Sequence, residues 1–303
     1  MAVADVLWTP SDVTMLVAQL AGSYTDGAGD APSYGGMFAG LYGRRRDKNL
    51  TLELVSQFLS EDLRAETSQI YRVGVVNSTA SATYRHYTNC DCVPYLEPGL
   101  SINVINAQDE LELLDYAVRP SVATRVGLNA DLTAYYQRGQ ETFGQRFRGI
   151  DQVGLTAEAH PWNFLSVALQ AQAGDQINYD PMDAYLGKNV QGTLSAILHP
   201  TASSELEVRY TKSALWRPGG ARVANVDLYY AKLGVSFSTR LALRLISQLD
   251  TFEDALRQSA LLSYQVYPGT EAFLGYQESD FVGGDVRALD RRIFFKASYR
   301  WQR

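Results

Sequence analysis

No stretch of about 18 apolar residues occurs anywhere in the chain, which excludes a membrane-crossing helix. Cysteine is nearly absent. The two present, Cys90 and Cys92 in Asn-Cys-Asp-Cys, are too few for a four-ligand structural zinc site, and His86 alone does not complete one. They read as a local disulfide or as two free thiols in a loop. Histidine is equally sparse: His86, His160 and His199 stand in no metal-binding spacing. Gly-x-Ser-x-Gly, Cys-x-x-Cys and phosphate-cradling glycine loops are missing as well. A basic excess is also lacking. The net charge is -6, so the chain offers no case for nucleic-acid binding. The first residues, Met-Ala-Val-Ala-Asp-Val-Leu-Trp, lack a basic segment followed by an apolar one, and no secretory signal is read there.

Tyrosine, by contrast, is abundant, with 19 residues beside 4 Trp. Such rings collect at membrane–water interfaces, and they also form cross-strand pairs in soluble β proteins. The alternation of side chains decides between the two. Leu165, Val167, Leu169, Ala171 and Ala173 fall on one side of a strand, with Ser166, Gln170 and Gln172 on the other. The same period of two gives Leu241, Leu243, Leu245 and Leu249 against Arg240, Arg244 and Gln248. It recurs as Leu206, Val208 and Tyr210 against Glu205, Glu207 and Arg209, and as Leu50, Leu52 and Leu54 against Thr51 and Glu53. Successive side chains of a strand point to opposite faces, so each run makes one apolar and one polar surface.

Turn signals separate the runs: Asp26-Gly27, Pro98-Gly99, Asp180-Pro181, Pro218-Gly219-Gly220, Pro268-Gly269 and Gly283-Gly284. About 16 strands result, within a range of about 14–18. Many reach the ~9–11 residues that cross a bilayer, longer than the ~5–6 usual in soluble sheets. No further apolar layer is left to cover so many apolar faces, whereas lipid can do so. The expected fold is therefore all-β: one antiparallel up-and-down transmembrane β-barrel over residues 1–303, wet inside and apolar outside.

On this spacing the inward, lumen-facing candidates are Glu53, Glu158, Glu205, Glu207, Arg209, Arg240, Arg244, Arg257, Lys296 and Arg300. Rows of opposite charge can select solutes in a pore, or they can pair into a plug. The segment Arg44-Arg45-Arg46-Asp47-Lys48 reads as a solvated hairpin turn or as a contact for lipopolysaccharide phosphates. The last strand, with Phe295, Tyr299 and Trp301 on one face, is similar to the C-terminal strand that the barrel-insertion machinery reads in outer-membrane proteins. Two residues follow the aromatic here.

Several phrases resemble a large family of bacterial outer-membrane proteins of unknown function that often carry a carbohydrate-binding family 9-like module before the barrel. The clearest is Leu261-Leu-Ser-Tyr-Gln-Val-Tyr-Pro-Gly-Thr-Glu-Ala-Phe-Leu-Gly-Tyr-Gln277. Leu243-Arg-Leu-Ile-Ser-Gln-Leu-Asp250 and Ala173-Gly-Asp-Gln-Ile-Asn-Tyr-Asp-Pro181 are similar to neighbouring strands and loops. Asp62-Leu-Arg-Ala-Glu-Thr-Ser-Gln-Ile-Tyr-Arg-Val-Gly74 resembles the family's Phe-Arg-Ala-Glu-x-Gly-Phe-x-x-Arg-Val segment but departs from it: Leu63 replaces the first Phe, Ser68 the Gly and Gln69 the second Phe. The resemblance implies a barrel in the bacterial outer membrane and a missing N-terminal module; it brings no established activity and no cofactor. The functional expectation is a pore for small polar solutes. The alternative is a non-conducting anchor or scaffold that meets other outer-membrane or periplasmic proteins. A hydrolase is the third reading, and the chain is taken not to be an enzyme.

Overall fold

The computed structural model describes residues 2–25, 34–63, 72–127, 129–267, 269–283 and 287–299. All regular structure in them is β, in one 18-stranded sheet. The strands are β1 (Ala2–Ser11), β2 (Thr14–Thr25), β3 (Tyr34–Arg46), β4 (Leu50–Leu59), β5 (Val75–Tyr84), β6 (His86–Cys90), β7 (Val93–Ala107), β8 (Leu113–Val126) and β9 (Ala130–Phe143). They continue as β10 (Gln145–Trp162), β11 (Leu165–Ile177), β12 (Leu186–Thr201), β13 (Ser204–Trp216), β14 (Arg222–Ser236), β15 (Leu241–Asp250), β16 (Ala255–Tyr267), β17 (Thr270–Phe281) and β18 (Arg287–Tyr299). This is the all-β, antiparallel, up-and-down β-barrel class expected from the alternation, with the strand number at the top of the expected range. Apart from the five residues of β6, strands run from 10 to 18 residues, enough to cross a bilayer.

The chain divides into two compact units. The first comprises Met1–Arg125, Thr133–Val153 and Gly174–Leu186. Its register runs β1–β2–β3–β4–β5–β7–β8, each pair antiparallel. Directly paired residues share a face, so the register separates two surfaces. One carries Val6, Trp8, Leu16, Leu20, Leu41, Leu52, Leu54, Ala80, Leu100, Ile102 and Val118. Its hydroxyls at Ser56 and Ser78 satisfy each other across the strands at 2.8 Å. The opposite surface carries Gln19, Tyr42, Glu53, Asn77, Thr79 and Asn103. There the Asn103 amide donates to Asn77 Oδ1 and Thr79 Oγ1, both at 2.8 Å.

The second unit comprises Val126–Leu132, Gly154–Ala173 and Gly187–Arg303. Its strands β12 to β18 pair in sequence order. One face is Leu194, Ala196, Val208, Leu206, Leu233, Leu245, Leu243, Leu262, Leu274 and Phe295, with the ion pairs Lys212–Asp227 and Glu278–Arg291 farther along its strands; the other holds Glu205, Glu207, Arg209, Lys232, Arg244, Arg257 and Lys296.

Total accessible surface is 20000 Å², against about 12,700 Å² expected for a soluble protein of this mass. Buried hydrophobics among the described residues are few: Val75, Phe147, Ile150, Ile177, Ala214 and Ala255. Leu20, Leu41, Leu54, Leu100, Val122, Leu194, Val208 and Leu274 lie open instead. The apolar stripes are not covered by another protein layer.

Two sequence expectations need correcting. Residues 2–11 form β1, although their Ala-Val-Ala-Asp-Val-Leu-Trp pattern had marked no strand. Pro98-Gly99 is not a turn but the interior of β7. The ladder from β7 to β5 ends at Gly99, and pairing resumes with β6 at Leu96, so the donor that Pro98 lacks falls in the gap. Arg85 occupies that gap, donates to Glu97 at 2.6 Å and stacks 4.4 Å from the Tyr95 ring centre. The true turn lies at the tip of the β6–β7 hairpin, where Cys90 and Cys92 are joined as a disulfide.

Candidate functional site

In the second unit, the polar face brings together most of the charged residues expected to point inward. Strand β13 supplies Glu205, Glu207 and Arg209, and their register partners on β14 are Gly234, Lys232 and Tyr230. Strand β15 adds Arg244 opposite Gly234 on the next ladder, with Arg240 at the preceding turn. Strand β16 adds Arg257 opposite Gln248, and β18 adds Lys296 opposite Phe273. The alternation that separates them from the leucines is thus preserved across all these strands.

Their pairing differs from residue to residue. Lys232 Nζ donates to Glu205 Oε1 at 2.8 Å and lies 3.9 Å from Glu207. Arg209 donates to Glu207 at 2.6 Å and sits over the Tyr230 ring, 5.5 Å from its centre. Arg257 pairs with Glu253 in the β15–β16 turn. The guanidinium groups of Arg240 and Arg244 have no hydrogen-bond or ion-pair partner among the described residues; Arg240 bonds only through its backbone, to Ser238 and Gln265. Both line a concavity of 1120 Å³ on this face, together with Glu205, Lys232 and Glu271. The tight connections at 202–203 and 237–240 form its rim.

Elsewhere the candidates scatter. Glu53 pairs with Arg44 at 3.3 Å in the first unit. Arg45 is held 2.9 Å from Asp47, so two arginines of the basic segment are engaged by acids of their own hairpin. Phe295 and Tyr299 stand on the apolar face, 71% and 72% exposed. Arg300 and Trp301 lie outside the described residues.

Glu158 sits beside His160, with Oε1 3.3 Å from Nε2, and His160 Nδ1 is 3.0 Å from Ser166 Oγ. A Ser–His–Glu chain has the contacts of a nucleophile relay. More than half of the His160 and Glu158 side chains is exposed (54% and 63%), so water competes for each contact. Acyl transfer also needs preorganised donors for an oxyanion, and regular strands spend their amides on the ladder. The contacts therefore describe a hairpin-end polar cluster.

Sequence reasoning missed Lys232, Gly234 and Glu271. Doubled Tyr229-Tyr230 obscures the period in β14, although Lys232 and Gly234 do fall on the side opposite Leu233 and Val235.

A second organised region lies at the loop end of the first unit. Phe147, Ile150 and Ile177 form a small buried cluster with Phe143, Ala184 and Leu186 against it. Tyr179 meets Phe143 edge-on at 5.3 Å and donates to Glu141 at 2.9 Å. Burial, and then the Glu141 carboxylate, push the Tyr179 hydroxyl up to about 12, so it stays protonated at neutral pH. This is a conventional protein core, placed where β9 and β10 run longer than a bilayer requires.

No protein-family model matches the chain, and neither does any curated protein. Among solved structures, the chain is similar to OmpF of Salmonella typhi in complex with daunomycin: 12% identity and a TM-score of 0.40 over 78% of this chain and 89% of that one. It is also similar to the ferric-catecholate import receptor Fiu of Escherichia coli K12 in its open form. That match has 10% identity and a TM-score of 0.45 over 99% of this chain and 65% of that one.

Proposed function

We propose that the protein is a bacterial outer-membrane β-barrel that passes small polar solutes, without enzymatic activity. The observation that carries this reading is the two-sidedness of the sheet. Open leucine stripes form one face and hydrogen-bonded polar side chains the other, the arrangement of a membrane barrel with a wet interior. With 16–18 strands such barrels leave an aqueous lumen. Acyl chains and lipopolysaccharide then surround the apolar face, and the barrel-insertion machinery reads the strand that carries Phe295 and Tyr299.

The test is conductance. Purified, folded protein reconstituted in planar bilayers is expected to give stable single-channel steps. Silence from protein whose folding is verified by circular dichroism would reject the channel and leave the non-conducting anchor or scaffold.

A further inference from the structure

We propose that the concavity around Arg240 and Arg244 binds a soluble oxyanion, a carboxylate- or phosphate-bearing solute; this rests on the channel reading for its purpose, though not for its chemistry. The charge balance points there. The concavity gathers Arg240, Arg244 and Lys232 against Glu205 and Glu271. Lys232 and Glu205 neutralise each other at 2.8 Å. Two guanidinium groups and one carboxylate remain, with no hydrogen bond or ion pair among them or to any other described side chain. A guanidinium presents a planar fork of donors that fits carboxylate and phosphate oxygens, so an anion satisfies what the protein leaves open. His199 also lines the site.

The backbone makes room for it. Along one cross-strand row the polar face reads Glu205, Gly234, Arg244, Leu261, Gly275 and Phe294. Two glycines in one row would leave two gaps. The Gly275 gap is filled: a Cβ there would lie 2.1 Å from the Phe294 ring. The Gly234 gap is open: a Cβ there would meet nothing nearer than Glu205 O at 4.0 Å. Gly234 thus forms an unfilled floor between the Glu205–Lys232 pair and Arg244. Its backbone needs no glycine, so a Cβ can be introduced there without backbone strain.

The experiment titrates inorganic phosphate into the detergent-solubilised full chain by calorimetry and measures ion preference in planar bilayers. Saturable phosphate binding is expected, weakened about tenfold or more in Arg240→Gln/Arg244→Gln, since charge-assisted pairs are lost. Gly234→Leu should weaken it comparably with both arginines in place. Arg257→Gln, whose charge is already paired with Glu253, should leave it unchanged. No phosphate binding, or binding indifferent to the double variant, overturns the proposal. Phosphatidylglycerol added to the micelles separates the possible sources. If it abolishes the phosphate signal, the arginines hold a lipid headgroup, and the soluble-oxyanion assignment fails. Phosphate binding without conductance rejects the channel and keeps the site. Conductance without phosphate binding or anion preference rejects the site and keeps the channel.

Discussion

Leu245→Arg costs about 2–4 kcal/mol of folding free energy in a bilayer, the price of a cation at mid-depth on the lipid face of a barrel. Leu245 lies in the middle of β15, between Leu233 on β14 and Ala260 on β16, with Leu243 and Leu249 on the same stripe. It is 38% exposed in the protein alone, so its surroundings on that side are not protein. In water an arginine there would be nearly neutral; in acyl chains it must snorkel or thin the bilayer. The control is Ser259→Arg on the next strand. Ser259 faces the other way, opposite Ile246 and Gln277, and substitution there should stay within about 0.5 kcal/mol. Urea unfolding from vesicles reads both. The expected gap is a factor of about 30 to 900 in the folding constant. Equal costs would remove the distinction between the two faces.

Gly174→Ala should be the most damaging small substitution in the loop-end cluster of the first unit. Gly174 has φ of 145°, in a region that side chains rarely occupy, and a Cβ would lie 2.1 Å from the Asp151 carbonyl oxygen. Neither can be relieved cheaply, because the obstacle is backbone and not a flexible side chain. The contacts around it are specific: Asp175 accepts the Asp151 N–H at 3.0 Å, and Gln152 donates to the Asp175 carbonyl at 2.8 Å. Strain of this kind costs about 1–3 kcal/mol before the steric displacement is added. The Phe147, Ile150 and Ile177 cluster should loosen, and limited proteolysis should cut the 178–185 loop several times faster. Spectroscopic β content should remain, because the membrane strands do not depend on this cluster. Unchanged proteolysis would show that the close approach is not required.

How much of this was legible beforehand depends on the range of the interaction. The faces of β15 followed from Leu241, Leu243 and Leu245 alternating with Arg240 and Arg244, and the register keeps them apart. That signal is local, since a strand's period is built into its own backbone. The gap at Gly234 could not be read, because it depends on what three separate strands place around one missing side chain. Gly275, identical in local type, is filled by Phe294 from another strand. Pro98-Gly99 misled for the same reason: whether a proline sits in a turn or a ladder depends on where the partner strand breaks. The loop-end cluster was missed because Phe147 and Ile177 meet only after β10 and β11 are laid out, and the period-two pattern does not foresee a small conventional core.

Spin labels placed singly at each position from 241 to 249, with the protein in lipid vesicles, give the most direct reading of the sheet's orientation. The predicted result is a strict alternation. Labels at 241, 243, 245, 247 and 249 relax with oxygen dissolved in the acyl chains, and labels at 242, 244, 246 and 248 relax with a water-soluble nickel complex. Aqueous access at both sets of positions, or protection of the leucine set from both reagents, would contradict an apolar face turned to lipid.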